Sequence, residues 1–366
     1  MPLRQRLKLA VFALTPALVL AAVLTVAWRW WRAPEGKALN ALAWESSYTE
    51  RGQSVPEGGP RGGYWGARIG PKVRDEKLGW REPKTSDPGR LAIEERGLQY
   101  YRTTASPKRQ VMIIGGSVAF GAYASSIATT YFNVLGAELE RLGTPADLAI
   151  VAAGAWKAGQ EARALVMYEP TIRPDLVVFV NGLNDLTVGS RASTVFGEKT
   201  PTRDGSPWTE GYHEHDYDER VANYLAVIRS VGAYARSVGV SPPLIVLQPS
   251  LVERAHRTAI EERLLAISLL PHASAAVLQQ SYRAMRNGLA EMERSGLLYF
   301  LDCSSVFDTE RATTFADLWH FSDFGHRLLG MAMAERMSVA VQHPVERRTH
   351  VPNARLTGRE IGVRSQ

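Results

Sequence analysis

Five apolar runs, each about the length of a buried strand and separated by stretches of helical periodicity, constrain this chain more than any other feature. They are QVMIIG (110–115), DLAIVAA (147–153), DLVVFVN (175–181), PLIVLQP (243–249) and LYFLD (298–302). Continuous apolar runs of this kind suit strands covered on both faces. Helical patterns fall at 129–142, 157–169, 217–238, 275–295 and 323–341. Strands alternating with helices predict an α/β domain, here 106–341, built on a parallel sheet with helices on both sides. In such sheets the working residues gather at the carboxyl ends of the strands. No internal repeat or low-complexity tract interrupts the rhythm.

The ends of the chain have a different character. Leu9 to Trp28 is a run of twenty residues without a charge. As a helix rising about 1.5 Å per residue it would cover roughly 30 Å, the thickness of a bilayer's hydrocarbon core. Trp28, Trp30 and Trp31 stand at its exit, where amphipathic rings favour the headgroup zone. Residues 1–33 are therefore expected to be an uncleaved signal-anchor, a single-pass membrane attachment through residues 9–28, with the body periplasmic or extracellular. The rival reading is a cleaved signal peptide; its apolar region is usually shorter, and WRWWR is a poor cleavage context. Residues 34–105, rich in Gly, Pro and Arg, read as a stalk and lead-in, and 342–366 as a basic, disordered tail.

Charge follows the same division. The net charge is +6, with 43 Lys and Arg against 37 acids, and five of those bases lie in residues 1–33 beside no acid. The remainder is balanced to +1, so no nucleic-acid-binding face is expected. The one cysteine, Cys303, excludes an intrachain disulfide and any cysteine-rich metal site.

Four places carry chemistry. The first run ends in IIGGSVAFGA (113–122), where two glycines permit a tight strand-to-helix turn that exposes the Ser117 hydroxyl. A phosphate-cradling loop competes for this pattern, but neither a P-loop Lys-Ser/Thr pair nor a G-x-G-x-x-G spacing is present. The second run ends at Gly154, whose N–H could approach a ligand closely or serve a simple turn. The third runs into Gly182-Leu183-Asn184-Asp185. There the Asn184 amide is a candidate donor to a developing oxyanion, with an Asx-turn as the alternative. The last is FADLWHFSDFGHRLLG (315–330), with Asp317 and His320 three residues apart just before a helix that Ser322 or Asp323 could cap. At this spacing a carboxylate can hold one imidazole nitrogen and leave the other free to take a hydroxyl proton.

Together these blocks resemble the SGNH hydrolase family, the GDSL-like esterases and lipases, over about residues 108–341. The GDSxxxG block is similar to Gly115-Gly116-Ser117-Val118-Ala119-Phe120-Gly121, the second-block glycine to Gly154, GxND to Gly182–Asp185, and DxxH to Asp317-Leu318-Trp319-His320. The resemblance implies a flavodoxin-like three-layer α/β/α sandwich. It also implies a catalytic Ser117, His320 and Asp317, with an oxyanion hole from the Ser117 and Gly154 N–H groups and the Asn184 side chain. One position departs: Gly116 stands where the family usually has aspartate, which puts the geometry around Ser117 in question.

The activity so implied is a serine ester hydrolase, an acetyl or acyl esterase, acting outside the cytoplasm on an ester-bearing cell-surface glycan or lipid. No cofactor is expected. Two other readings stay open: an O-acyltransferase using the same triad, and a non-catalytic tethered carbohydrate-binding protein. The His213, His215 and Asp216 cluster is read as a solvated connection rather than a metal site. Gln248 and Pro249 close the fourth run at the active end and could face substrate. Trp156 and Trp319 flank Gly154 and His320 and are candidates for stacking on a sugar. Cys303 is expected to be a small packed side chain.

Overall fold

A computed structural model describes residues 36–57, 59, 73–75, 78–81, 100–102, 109–187, 217–268 and 274–342. The five apolar runs become the five parallel strands β4 (Arg109–Gly115), β5 (Ala146–Ala152), β6 (Leu176–Asn181), β7 (Leu244–Leu247) and β8 (Tyr299–Asp302). Their order across the sheet is β5-β4-β6-β7-β8, the 2-1-3-4-5 order of flavodoxin-like sheets. Every residue of β5, β6 and β7 is buried, which is why these segments read as unbroken apolar runs. β8, hydrogen-bonded to β7 at the end of the sheet, is half-buried throughout.

The helices between them are α2 (Tyr131–Arg141), α3 (Ala158–Ile172), the short α4 (Leu183–Thr187), α5 (Tyr217–Ser237), α6 (Ala259–Ser268), α7 (Ala275–Arg294) and α8 (Asp323–Gln342). α2 packs on α8, while α5 packs on α3 and α7. Right-handed crossovers put these two groups on opposite faces of the sheet. The chain leaves β4 toward β5, then crosses back to β6 on the other side of β4. The carboxyl end of β4 is thus the switch point, the place where open α/β sheets bind their ligands.

Two features differ from the sequence reading. The sheet has a sixth strand, β3 (Tyr100–Arg102), antiparallel to β5 at its edge, and β1 (Val73–Asp75) pairs with β2 (Gly79–Arg81) as a separate hairpin. The segment read as a stalk also contains α1, residues 36–49, which buries Leu39, Ala43, Trp44 and Tyr48 against the body. Their spacing is helical, but alanines and serines dilute it too far to stand out. Among the described residues no helix is long and apolar enough to cross a membrane. The expected anchor (9–28), the basic tail beyond Gln342, and His213, His215 and Asp216 all lie outside the described residues.

Candidate active site

Ser117, Gly154 and Asn184 follow three adjacent strands, β4, β5 and β6, at their carboxyl ends. Register holds them level: Gly115 pairs with Ala152 on one side and Val180 on the other, and the Ala153 N–H donates to the Gly115 carbonyl at 3.2 Å. Only glycine fits at 115, because a Cβ there would lie 2.4 Å from the Val180 carbonyl oxygen. The chain then turns sharply. Phe120 N–H donates to the Gly116 carbonyl and Ala122 N–H to the Ser117 carbonyl, both at 3.0 Å, and Ser117 stays half-buried.

Between β8 and α8, residues 315–321 form a closed loop. Phe315 and Phe321 bridge its two ends, and the Ala316 N–H donates to the His320 carbonyl at 2.9 Å. Phe307 packs edge-on against both phenylalanines, at 5.3 and 5.2 Å. Buried Glu261 accepts from the Thr314 and Phe315 N–H groups at 3.0 and 3.1 Å and pairs with buried Arg254. Two large apolar anchors and a buried ion pair therefore fix the loop that carries Asp317 and His320. Ser322 holds the N-cap position of α8, its carbonyl accepting from the His326 N–H at 3.0 Å, but no side chain of the described residues caps the helix. Among the described residues the Ser322 hydroxyl has no hydrogen-bond partner, and the Asp323 carboxylate accepts from the Ser125 N–H and hydroxyl at 2.7 and 2.5 Å.

The loop delivers His320 to the serine. His320 Nε2 lies 2.8 Å from Ser117 Oγ, and His320 Nδ1 lies 2.8 Å from Asp317 Oδ2. Asp317 Oδ1 accepts from the Trp319 and His320 N–H groups at 2.8 and 2.7 Å. Burial would raise the Asp317 pKa, but His320 and these donors outweigh it and hold the carboxyl below its ordinary value. An ionised carboxylate can only accept, so Nδ1 carries the hydrogen and Nε2 is left to accept from the Ser117 hydroxyl. With side-chain exposures of only 14% and 12% for His320 and Asp317, the relay is shielded yet reachable.

Asn184 is held beside the serine by a bond from its Nδ2 to the Trp156 carbonyl, 2.8 Å. Its amide occupies the space a side chain at 116 would need: a Cβ on Gly116 would lie 2.3 Å from Asn184 Nδ2. With no side chain, Gly116 leaves the room that the Asn184 amide takes up. Ala155, between Gly154 and Trp156, has a left-handed φ of 66°, a sparsely populated region for residues other than glycine. Beneath lies a buried polar group. Asp185 accepts from the Ala158 N–H at 3.2 Å, Asn181 donates to Glu161 at 2.5 Å, and the Tyr224 hydroxyl donates to Asn181 at 3.0 Å. Burial, then the charge of Asp185, pushes Glu161 well up, with Asn181 opposing. Asp185 itself is raised by burial to about 6, against the pull of Lys157 and the Ala158 N–H.

The other sequence candidates fall as follows. Trp156 is buried and serves through its carbonyl, whereas Trp319 is half-buried beside His320. Gln248 and Pro249 are buried. Cys303 is a packed side chain whose thiol is pushed up by burial and then by Asp302. One neighbour had no motif to announce it: the Tyr123 ring stacks on His320, centroids 4.9 Å apart and planes 8° from parallel. Among the described residues no group of three or more His, Cys, Asp or Glu is arranged to hold a metal ion.

No family model matches the sequence, and no curated protein is similar to it. Among solved structures, an acetylxylan esterase from Geobacillus stearothermophilus is 14% identical over 64% of this chain and 96% of its own, with a TM-score of 0.38. Another acetyl xylan esterase is 17% identical over 63% and 99%, with a TM-score of 0.37. An α/β hydrolase from the metagenome of Lake Arreo, Spain, is 15% identical over 65% and 96%, with a TM-score of 0.37. Likenesses of this degree carry no weight for function, which has to follow from the side chains themselves.

Proposed function

We propose that this chain is a serine carboxylic ester hydrolase, with Ser117 as nucleophile, His320 as base and then acid, and Asp317 as the group that orients it. The observation that carries the reading is the continuous relay of two 2.8 Å hydrogen bonds, Ser117–His320 and His320–Asp317. Ser117 Oγ bonds to the ester carbonyl carbon while its proton passes to His320 Nε2. The resulting oxyanion lies among the Ser117 and Gly154 N–H groups and the second N–H of the Asn184 amide, whose first is spent on Trp156. Collapse breaks the bond to the alcohol, which leaves with the proton from His320. Water then attacks the acyl-enzyme with His320 again as base, releasing the acid and restoring Ser117.

Within this reading the family is the SGNH type, with Gly116 in place of the usual aspartate. The substrate is an acetyl or longer acyl ester on a surface glycan or lipid. The uncharged run at 9–28 supports a membrane-anchored body outside the cytoplasm. The test is hydrolysis of p-nitrophenyl esters, acetate through octanoate, by the full-length chain beside Ser117→Ala. Serine-dependent turnover is expected, and its chain-length profile will separate a deacetylase-like pocket from a lipase-like groove. Equal turnover by the two proteins would remove Ser117 from the chemistry. No turnover by either on any chain length would point instead to acyl transfer or binding.

A further inference from the structure

The loop that carries Asp317 and His320 leans on a part of the chain that precedes the α/β body. Trp44 and Tyr48 of α1 form a small core of their own with Ala316, the residue next to Asp317, and Tyr123 and Val55 pack against it. Trp44 is fully buried and lies 4.7 Å from the Tyr48 ring. Its indole Nε1–H donates to the Tyr123 carbonyl at 3.2 Å. Tyr123 holds a φ of 70°, a conformation that a bulky residue keeps only where its surroundings impose it. That same residue presents its ring flat against the His320 imidazole.

The turn after α1 holds the chain just before the loop. Glu50 accepts from the Thr313 N–H at 2.6 Å and from the Thr313 hydroxyl at 2.9 Å. Arg51 donates to the Thr313 carbonyl at 2.6 Å and to the Thr314 hydroxyl at 3.2 Å, and its guanidinium lies over the Phe324 ring at 3.7 Å. Residues 36–51 therefore touch the base through Tyr123, the orienting acid through Ala316, and the loop's approach through Thr313 and Thr314.

We infer that residues 36–51 are a brace that fixes the orientation of the His320 imidazole, with Tyr123 as the positioning residue between brace and base. The inference rests on the reading of His320 as the base of Ser117. Packing alone would explain a helix lying on the body. It would not call for a left-handed tyrosine whose carbonyl is tied to the helix and whose ring covers the imidazole. Displacement of this segment, which continues toward the expected anchor, would displace the base.

The test uses full-length protein in mild detergent, wild type beside Tyr123→Leu, Tyr123→Phe and Trp44→Leu, with two readouts. One is the rate of Ser117 labelling by a fluorophosphonate; the other is the downfield proton resonance of the His320 Nδ1–H, which needs no substrate. Tyr123→Leu and Trp44→Leu should label about 10-fold more slowly and broaden or lose the resonance, while Tyr123→Phe recovers to within about twofold. A Tyr123→Leu protein that labels at the wild-type rate and keeps the resonance would overturn the brace. Should wild type not label at Ser117, yet lose the resonance on Tyr123→Leu, the brace stands and the hydrolase reading falls. Should Ser117 label normally while the resonance ignores both substitutions, the hydrolase reading stands and the brace falls.

Discussion

Gly116→Ala should damage turnover far more than it damages the fold. The added Cβ would sit 2.3 Å from Asn184 Nδ2, where ordinary contact begins at 3.4 Å, so the amide has to retreat by about 1 Å. The obstacle is the end of a side chain, with the Trp156 carbonyl oxygen next at 3.4 Å, so the backbone can stay where it is. The stability cost is then about one hydrogen bond, Asn184 to Trp156, or about 1 kcal/mol. Catalysis has no such slack, because a misplacement of about 1 Å at a reacting centre can cost about 10²-fold. Loss of an oxyanion donor outright costs about 10²- to 10³-fold in kcat. The assay is kcat on a p-nitrophenyl ester for wild type, Gly116→Ala, Asn184→Ala and the double variant, with thermal unfolding of each. Gly116→Ala should lose about 10²-fold in kcat, and little more should be lost when Asn184 is already alanine. A Gly116→Ala enzyme within about threefold of wild type, or losses that simply multiply in the double variant, would refute the reasoning.

Three further outcomes follow from the same geometry. Asp317→Asn should lower kcat by about 10⁴-fold while leaving KM near its wild-type value, because an amide can donate to Nδ1 and favour the wrong tautomer; steady-state kinetics would show it. Glu261→Gln should destabilise by about 3–5 kcal/mol in urea unfolding, because it leaves the buried Arg254 charge uncompensated; a loss below about 1 kcal/mol would contradict this. Asp185 is held at about 6, above its ordinary 3.8. Its contribution to stability is therefore fully present below the ordinary value and lost as pH rises through about 6. Asp185→Asn should flatten the fall in Tm between about pH 4 and pH 7, and an unchanged profile would remove Asp185 as its source.

The parallel strands and the helices between them were legible because burial on both faces leaves an unbroken apolar run, as in β5 and β6. The site motifs were legible only as a set: Gly, Ser, Asn or Asp after a strand is common in plain turns, and it was the order of the four blocks, with Asp317 and His320 three residues apart, that pointed to a site. What escaped was contact between distant segments. Nothing in AWESSY at 43–48 says that Trp44 meets Tyr123, or that Glu50 and Arg51 grip Thr313 and Thr314. Helix α6 was hidden because it is only ten residues long and its Glu261 sits on the buried side, paired with an arginine, where an apolar residue would be expected. Gly116 was visible as a departure, but its reason required the Asn184 side chain in three dimensions. The strand β3 is only three residues long, too short to show an alternating pattern, and is recognised by its pairing with β5.

The most direct test of the central claim is where the acyl group goes. Full-length protein mixed with p-nitrophenyl acetate, quenched in acid within the first turnover and mapped by peptide mass, should carry acetyl on Ser117. Ser117→Ala and His320→Ala should carry none above background. Turnover with no acetyl at Ser117, or equal labelling when His320 is alanine, would contradict the account.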